Sequence, residues 1–432
     1  MGTYLSRTLS SPNVNKFTVS LWVKGINLSG DDYLFALADG GHHVHVRRDG
    51  SMQLQSQLYN GAVQIGQLIS SAVYRDPASW YHVVYRQDIE NSTANQRNRL
   101  YVNGEEITYG TQTNPSSTNA GAGMSFNIFK TTSYSGTGDN FTGYMTDLNY
   151  FDGYSYGPDS FGETDSTTGE WKPKVDFTGV TYGTNGFRCQ FGNAAALGTD
   201  TSGNTNTLTV NNAGTGAQTV DTASNNFCTM NPLDVGSDLR DNGSFADGNL
   251  EVTNGATSGQ GDQQRVRGTI AVTKGKWYFE MKNLANSASI GLLATEEAHG
   301  GTSANSMLVE YNTGGEIRFY NGSGRTTKTT GIDTYTTNDI VGCALDMDNR
   351  RAYFSKNGFW QGNPTPDPAS SPSGAGQMAA ILSDFTMAPC MFDNSSGSAG
   401  KGSFNFGNPA FSISSGNADA NGHGNFEYSV PS

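Results

Sequence analysis

Three short segments of the chain each set an Asp-Gly or Asn-Gly pair between runs of strand-forming residues. They are Val46-Arg47-Arg48-Asp49-Gly50-Ser51-Met52-Gln53-Leu54, Leu100-Tyr101-Val102-Asn103-Gly104-Glu105-Glu106-Ile107 and Ala352-Tyr353-Phe354-Ser355-Lys356-Asn357-Gly358-Phe359-Trp360. Both central residues of a type I′ turn need positive φ, which Asn, Asp and Gly tolerate best. Each segment therefore predicts a tight antiparallel hairpin. A chain built on such hairpins folds as antiparallel sheet, and its functional surfaces are loops and sheet faces.

The 432 residues are enough for two or three domains. Only 15% are charged, against roughly 25% in an average domain, and Ser, Thr, Asn and 55 Gly fill the gap. That mixture suits short strands, many turns and polar, uncharged surfaces. Regularly placed aromatic and β-branched residues argue against disorder. The net charge is −13, with no basic cluster beyond Arg47-Arg48 and Arg350-Arg351. Phosphate recognition relies on a basic patch, so nucleic acid is not an expected partner. Acidity also disfavours anionic membranes, and no apolar run approaches the roughly 18 residues of a membrane span. No signal peptide is apparent, so the expected site of synthesis is a cytosol. Cys189, Cys228, Cys343 and Cys390 sit among apolar or aromatic neighbours, with no Cys-x-x-Cys pair. They read as small buried hydrophobes rather than disulfide partners or metal ligands.

The expected fold is all-β: two antiparallel, jelly-roll-like β-sandwiches joined by an ordered, loop-rich extension. Residues 1–153 form the first. Phe17, Val19, Leu21 and Val23 alternate along one face of a strand. Residues 154–235 are rich in Gly, Asn and Thr. They also carry Trp171, Phe177, Phe187 and Phe191, which a free linker would not. The extension is expected to lie over its neighbours and contribute a few strands. Residues 236–412 form the second sandwich, and 413–432 a C-terminal tail.

The stretches FTVSLWVK, YLFALADGGHHVHVRRDGSMQLQSQ, WYHVVYRQD, RLYVNGEEI and FTGYMTDLNYFDG resemble a concanavalin A-like, laminin G-like sandwich over the first third of the chain. GKWYFEM, SIGLL, DIVGCALDMDNRRAYFSKNGFW, MAPCMF and FNFG resemble a SPRY domain. The first fold serves lectins, adhesion modules and glycosidases alike, and SPRY domains are binding modules. The order of the parts, with SFGETDSTTGEWKPK, YGTNGF, ALGTDTSGNTNTLTVNN and NFCTMNPLD between them, resembles virion structural proteins of tailed bacteriophages, especially marine ones. That resemblance implies synthesis in the bacterial cytoplasm and residence in the virion.

No catalytic constellation emerges. Glycosidases of the concanavalin A-like fold often carry Glu-x-Asp-x-x-Glu on one strand, and this chain lacks it. Asp346 and Asp348 precede Asn349 as turn formers, and Glu105 and Glu106 read as solvated hairpin residues. In the only histidine cluster, His43, His45 and Arg47 share one strand face, with Val44 and Val46 on the other. His43 and His45 are the candidate metal pair, against the simpler reading of a solvated sheet face. Asp31, Asp32, Asp139 and Asp147 are the candidate calcium ligands. Tyr59, Tyr134, Phe319 and Tyr320, close to Gly and Asn, are candidates for stacking on sugars.

The expected function is that of a non-enzymatic virion surface accessory: a capsid decoration, head fibre or knob, or small tail appendage. The alternative is a receptor-binding tail fibre or tip lectin that recognises a host surface glycan. No heptads and no repeats appear, and the first strand begins within about 20 residues of Met1, which favours an accessory over a shaft. Partners are other virion proteins of the capsid or tail, with host glycan or protein on the exposed side. A homo-oligomer, such as a trimer, follows from a sparsely charged surface.

Overall fold

The structure, a computed structural model, describes residues 3–27, 30–39, 41–116, 128–131, 141–213, 217–255, 264–285, 287–297, 299, 307–321, 325–362, 367–369, 385–393 and 399–431. The chain divides into two units, Met1–Asn226 and Phe227–Ser432. Residues 154–226 of the expected extension thus belong to the first unit and 227–235 to the second. The expected tail belongs to the second.

The first unit is a sandwich of two antiparallel sheets. One has eight strands in the order Tyr109–Thr113, Val63–Val73, Gln53–Asn60, His43–Arg48, Asp32–Ala38, Ile128–Thr131, Tyr4–Thr8, Thr209–Asn211. The other has six: Phe187–Cys189, Gly143–Asp152, Lys16–Gly25, Tyr81–Asp88, Asn98–Val102, Glu105–Glu106. Phe17, Val19, Leu21 and Val23 face Phe35, Val44, Val46 and Leu68 across one apolar core, as the alternation predicts. The extension supplies an edge strand to each sheet, Phe187–Cys189 and Thr209–Asn211.

The opposite face of Lys16–Gly25 is buried as well, with Thr18, Ser20, Trp22 and Lys24 each 2% exposed or less. Residues of the extension cause this. Trp171 and Ala223 pack with Trp22, Trp80 and Tyr144, while Phe161, Phe177 and Tyr182 pack with Val84 and Phe151. Aromatic side chains bury the most apolar surface per residue, which is why this Gly- and Thr-rich segment is ordered.

The second unit is also a sandwich of two antiparallel sheets, each of seven strands. The first runs Met230–Val235, Arg265–Gly268, Met387–Asp393, Ala288–Ala294, Met307–Asn312, Glu316–Asn321, Arg325–Thr330. The second runs Ser244–Ala246, Glu251–Thr253, Lys401–Asn405, Lys276–Ala285, Ile340–Asp346, Arg351–Lys356, Phe359–Trp360. Among the described residues the one α-helix is Ser237–Asn242. All four cysteines are buried thiols.

Two of the three predicted turns adopt positive φ at both central residues: Asn103 (48°) with Gly104 (87°), and Asn357 (47°) with Gly358 (83°). The third differs. Asp49 and Gly50 open a longer loop in which Met52 takes the positive φ (63°). The Asp49 carboxylate accepts from the backbone N–H of Ser51 and Gln53 at 2.9 and 3.0 Å, so its side chain shapes the turn in place of a type I′ backbone.

Candidate functional site

The predicted histidines lie on the outward face of the eight-stranded sheet. Cross-strand register aligns Gln67, Gln57, His45, Ala36, Lys130 and Ser6 in one row. A second row joins Gln64, Tyr59, His43 and Ala38. The His43 ring stacks on Tyr59 at 4.5 Å and on His45 at 5.5 Å, and Tyr33 meets His45 edge-on at 5.0 Å. A solvated face was the expectation, yet His45 is only 2% exposed, because neighbouring rings flank it. Burial, then the nearby His43 and Arg47, pushes its imidazole down to about 3, so the ring is neutral at physiological pH. Burial lowers His43 too.

Each described calcium candidate is engaged by an arginine. Asp31 pairs with Arg47, which also donates to Gln55 at 2.7 Å and to the Tyr33 hydroxyl at 3.0 Å. Asp32 is buried against Arg48 and accepts from the Thr142 N–H at 3.1 Å; burial raises its carboxyl despite the arginine. Asp147 accepts from Arg188 Nε at 2.8 Å, and burial raises it as well. A guanidinium takes up the charge and lone pairs that a cation would use. Asp139 lies outside the described residues. Among the described residues, no three His, Cys, Asp or Glu side chains are placed to share a metal.

Sequence reasoning found no Ser-His arrangement, but the fold makes one. Ser20 Oγ lies 2.9 Å from His82 Nε2, on paired strands. The indole of Trp171 donates to His82 Nδ1 at 3.0 Å. An indole N–H only donates, so Nδ1 must accept and the neutral ring carries its proton on Nε2. His82 therefore donates to Ser20, the reverse of what activates a serine nucleophile. His82 has no exposed surface, and burial holds it down at about 3. The pair is a buried strut under the extension. Spacing could not reveal it, because its third member comes 89 residues later.

Asp346 acts as the expected turn former, while Asp348 Oδ1 accepts from the backbone N–H of Gly275, 73 residues away. Asp346 accepts from the backbone and side-chain amides of Asn349, each at 2.9 Å. Glu106 forms an ion pair with Arg99 and so is not free in solvent as expected. Tyr59 is the sugar-stacking candidate that joins the histidine face. Tyr134 lies outside the described residues. Phe319 is 5% exposed and packs in the core of the second unit, so its ring is not available at the surface.

Comparison with known proteins matches this architecture. The model of the concanavalin A-like lectin/glucanases superfamily matches residues 2–154. The model of the SPRY domain matches residues 276–371. The protein thus combines an N-terminal laminin G/concanavalin A-like domain with a C-terminal SPRY domain. No curated protein matches the sequence. Among solved structures, the SPRY domain of human HERC1 is similar at 20% identity over 36% of this chain and 87% of that one, with a TM-score of 0.27. Domains LG4-5 of the mouse laminin alpha1 chain are similar at 11% identity over 93% and 84%, with a TM-score of 0.29. The CBM40 of a Ruminococcus gnavus IT-sialidase, bound to alpha2,3 sialyllactose, is similar at 16% identity over 30% and 72%, with a TM-score of 0.24.

Proposed function

We propose that this chain is a non-enzymatic structural and binding protein of a tailed-bacteriophage particle. It is a surface accessory, such as a capsid decoration, head fibre or knob, or small tail appendage. One sandwich holds to capsid or tail proteins, and the other meets the host surface or the surroundings. The order of a laminin G-like domain, a Gly/Asn/Thr-rich segment and a SPRY domain supports this reading. So does the fate of the potential chemistry among the described residues: Asp31, Asp32 and Asp147 are paired with arginines, and the Ser20–His82 pair is wired against nucleophilic use.

The observation that carries the binding role is the contrast between the two outer faces of the first sandwich. The chain's own extension covers one. The other presents half-buried His43, Tyr59 and Arg47 among glutamines. Neutral rings and amides lose little on desolvation and suit protein–protein contact. A homo-oligomer, such as a trimer, fits the same surface.

Mass spectrometry of purified particles, followed by cryo-EM of those particles, tests the assignment. The protein should be present in defined copies on the outside of the head or tail. Its absence from purified particles would overturn the reading. Particles lacking it should still form DNA-filled heads; loss of all adsorption would shift the role to a receptor-binding tail tip.

A further inference from the structure

Nothing described so far uses an open cleft of about 480 Å³ in the first unit. Three segments meet there: Ser10, Ser11 and Asn13; Asp152, Gly153 and Tyr154 at the end of a strand; and Gly183 and Thr184 of the extension. The size falls within the roughly 300–1,000 Å³ of small-molecule sites. Gly183 and Thr184 lie beyond the residues matched by the N-terminal domain model, so the wall draws on the extension as well as on that domain.

The cleft has a constructed floor. Asp152 is 7% exposed. Its Oδ1 accepts from the Asn13 N–H at 2.7 Å, and its Oδ2 accepts from Asn185 N and Nδ2 at 3.2 and 2.7 Å. Asn185 in turn accepts from the Ser10 N–H at 2.8 Å and donates to the Ser10 carbonyl at 3.0 Å. One carboxylate and one amide thus lock all three segments. Gly183 has a φ of 73°, and a Cβ there would lie 2.0 Å from the Asp152 carbonyl oxygen, so only glycine lets the walls approach this closely. Ser11 also sits at positive φ, 49°. Non-glycine residues held in that region concentrate at ligand clamps and switch regions.

The walls offer unused, uncharged groups. The hydroxyls of Ser10, Ser11 and Thr184 and the Asn13 side-chain N–H2 make no hydrogen bond among the described residues. Tyr154, 37% exposed, lies parallel to Tyr156 at 5.7 Å and brings an aromatic ring to the rim. Hydroxyls and an amide beside an aromatic ring match a polyhydroxylated ring, whose C–H face packs on the aromatic while its hydroxyls bond the polar groups. Among the described residues no Lys, Arg or His lines the cleft and Asp152 is its only formal charge, which disfavours an anion. Three N–H donors already engage the Asp152 oxygens, which disfavours a metal.

We infer that this cleft binds a neutral saccharide. The inference rests on the reading of the chain as a binding protein and deepens it. The test is saturation-transfer NMR on the full chain. The probes are methyl α-glucopyranoside, methyl β-galactopyranoside, methyl α-mannopyranoside and N-acetylglucosamine, with glucuronate as the anionic comparator. At least one neutral probe should bind, and its affinity should fall by roughly tenfold or more in Tyr154→Ala and in Thr184→Trp. Both positions are exposed, and circular dichroism and Tm establish that each variant is folded. The site is refuted if no neutral probe binds, if binding survives both substitutions, or if glucuronate binds more tightly than every neutral probe. That failure would leave the particle assignment standing, because presence in purified particles is a separate readout.

Discussion

Lys24 Nζ and Asp221 Oδ2 lie 2.9 Å apart although 197 residues separate them, and neither side chain has any exposed surface. The Trp80 indole donates to the other Asp221 oxygen at 2.9 Å, and Lys24 also donates to Asn226 Oδ1 at 2.8 Å. This network fastens the end of the extension onto the outer face of the six-stranded sheet. A buried pair is costly to break from one side, because the remaining charge is left uncompensated.

Lys24→Met and Asp221→Leu, made singly, should each destabilise the first unit by about 3–5 kcal/mol. The double variant should cost clearly less than the two added together. Urea denaturation of the three variants checks this. Additive losses would mean that the two charges do not stabilise each other.

Acid should destabilise the first unit through its buried histidines. His45 and His82 titrate at about 3 in the fold, against 6.5 for an ordinary histidine. Their contribution is fully present above pH 6.5. Between 6.5 and about 3 the unfolded chain takes up protons that the folded chain refuses, so stability falls as pH falls, by at most about 5 kcal/mol per ring over that whole range. Asp32 and Asp147, raised by burial, push the other way as pH falls through their folded-state pKa values. Urea midpoints at pH 7.5, 6.5, 5.5 and 5.0 should be flat at first and then decline. A flat profile to pH 5.0 would contradict the buried neutral rings.

Gly104 couples a hairpin to the extension. Its φ is 87°, and an added Cβ would lie 2.8 Å from the Trp171 ring. Gly104→Ala should cost about 1–3 kcal/mol, because the backbone is strained and the indole displaced. Trp171 should lose its bond to His82 and shift its fluorescence to the red. Adding Trp171→Phe should recover part of the loss, since the clash is shared. An unchanged emission spectrum in Gly104→Ala would show that the indole does not feel the turn.

Glu280 is a buried carboxylate that holds the C-terminal segment. It accepts from the backbone N–H of Glu427 at 3.0 Å and of Tyr428 at 2.8 Å, and from Asn405 and the Tyr278 hydroxyl at 3.0 Å each. Glu280→Gln turns an amide donor toward groups that themselves donate. It should cost about 1–3 kcal/mol and speed limited proteolysis within residues 406–431. Equal cleavage rates in variant and wild type would show that this contact does not hold the segment.

Much of the fold is local, and local features are legible in a sequence. Asn103-Gly104 and Asn357-Gly358 form their turns because positive φ is a property of those residues. Phe17, Val19, Leu21 and Val23 face the core because side chains alternate along any strand. Asp49-Gly50 shows the limit of such reasoning: the same dipeptide type formed a longer loop once the Asp49 side chain captured the backbone.

Tertiary structure decided what distant residues do to one another. His43 and His45 share a face in any extended strand, but the ring contacts with Tyr59 and Tyr33 required cross-strand register. Asp31, Asp32 and Asp147 read as candidate calcium ligands in the sequence; folding places Arg47, Arg48 and Arg188 against them. Ser20, His82 and Trp171, the Lys24–Asp221 pair and the cleft above Asp152 are each assembled from segments far apart along the chain. Hairpins and strand faces were legible in the residues alone, because they follow from backbone preference and periodicity, and the resemblance to two domain families implied the two sandwiches. Partner, burial and ionisation were decided only in the tertiary structure, because they depend on what the rest of the chain brings within a few ångströms.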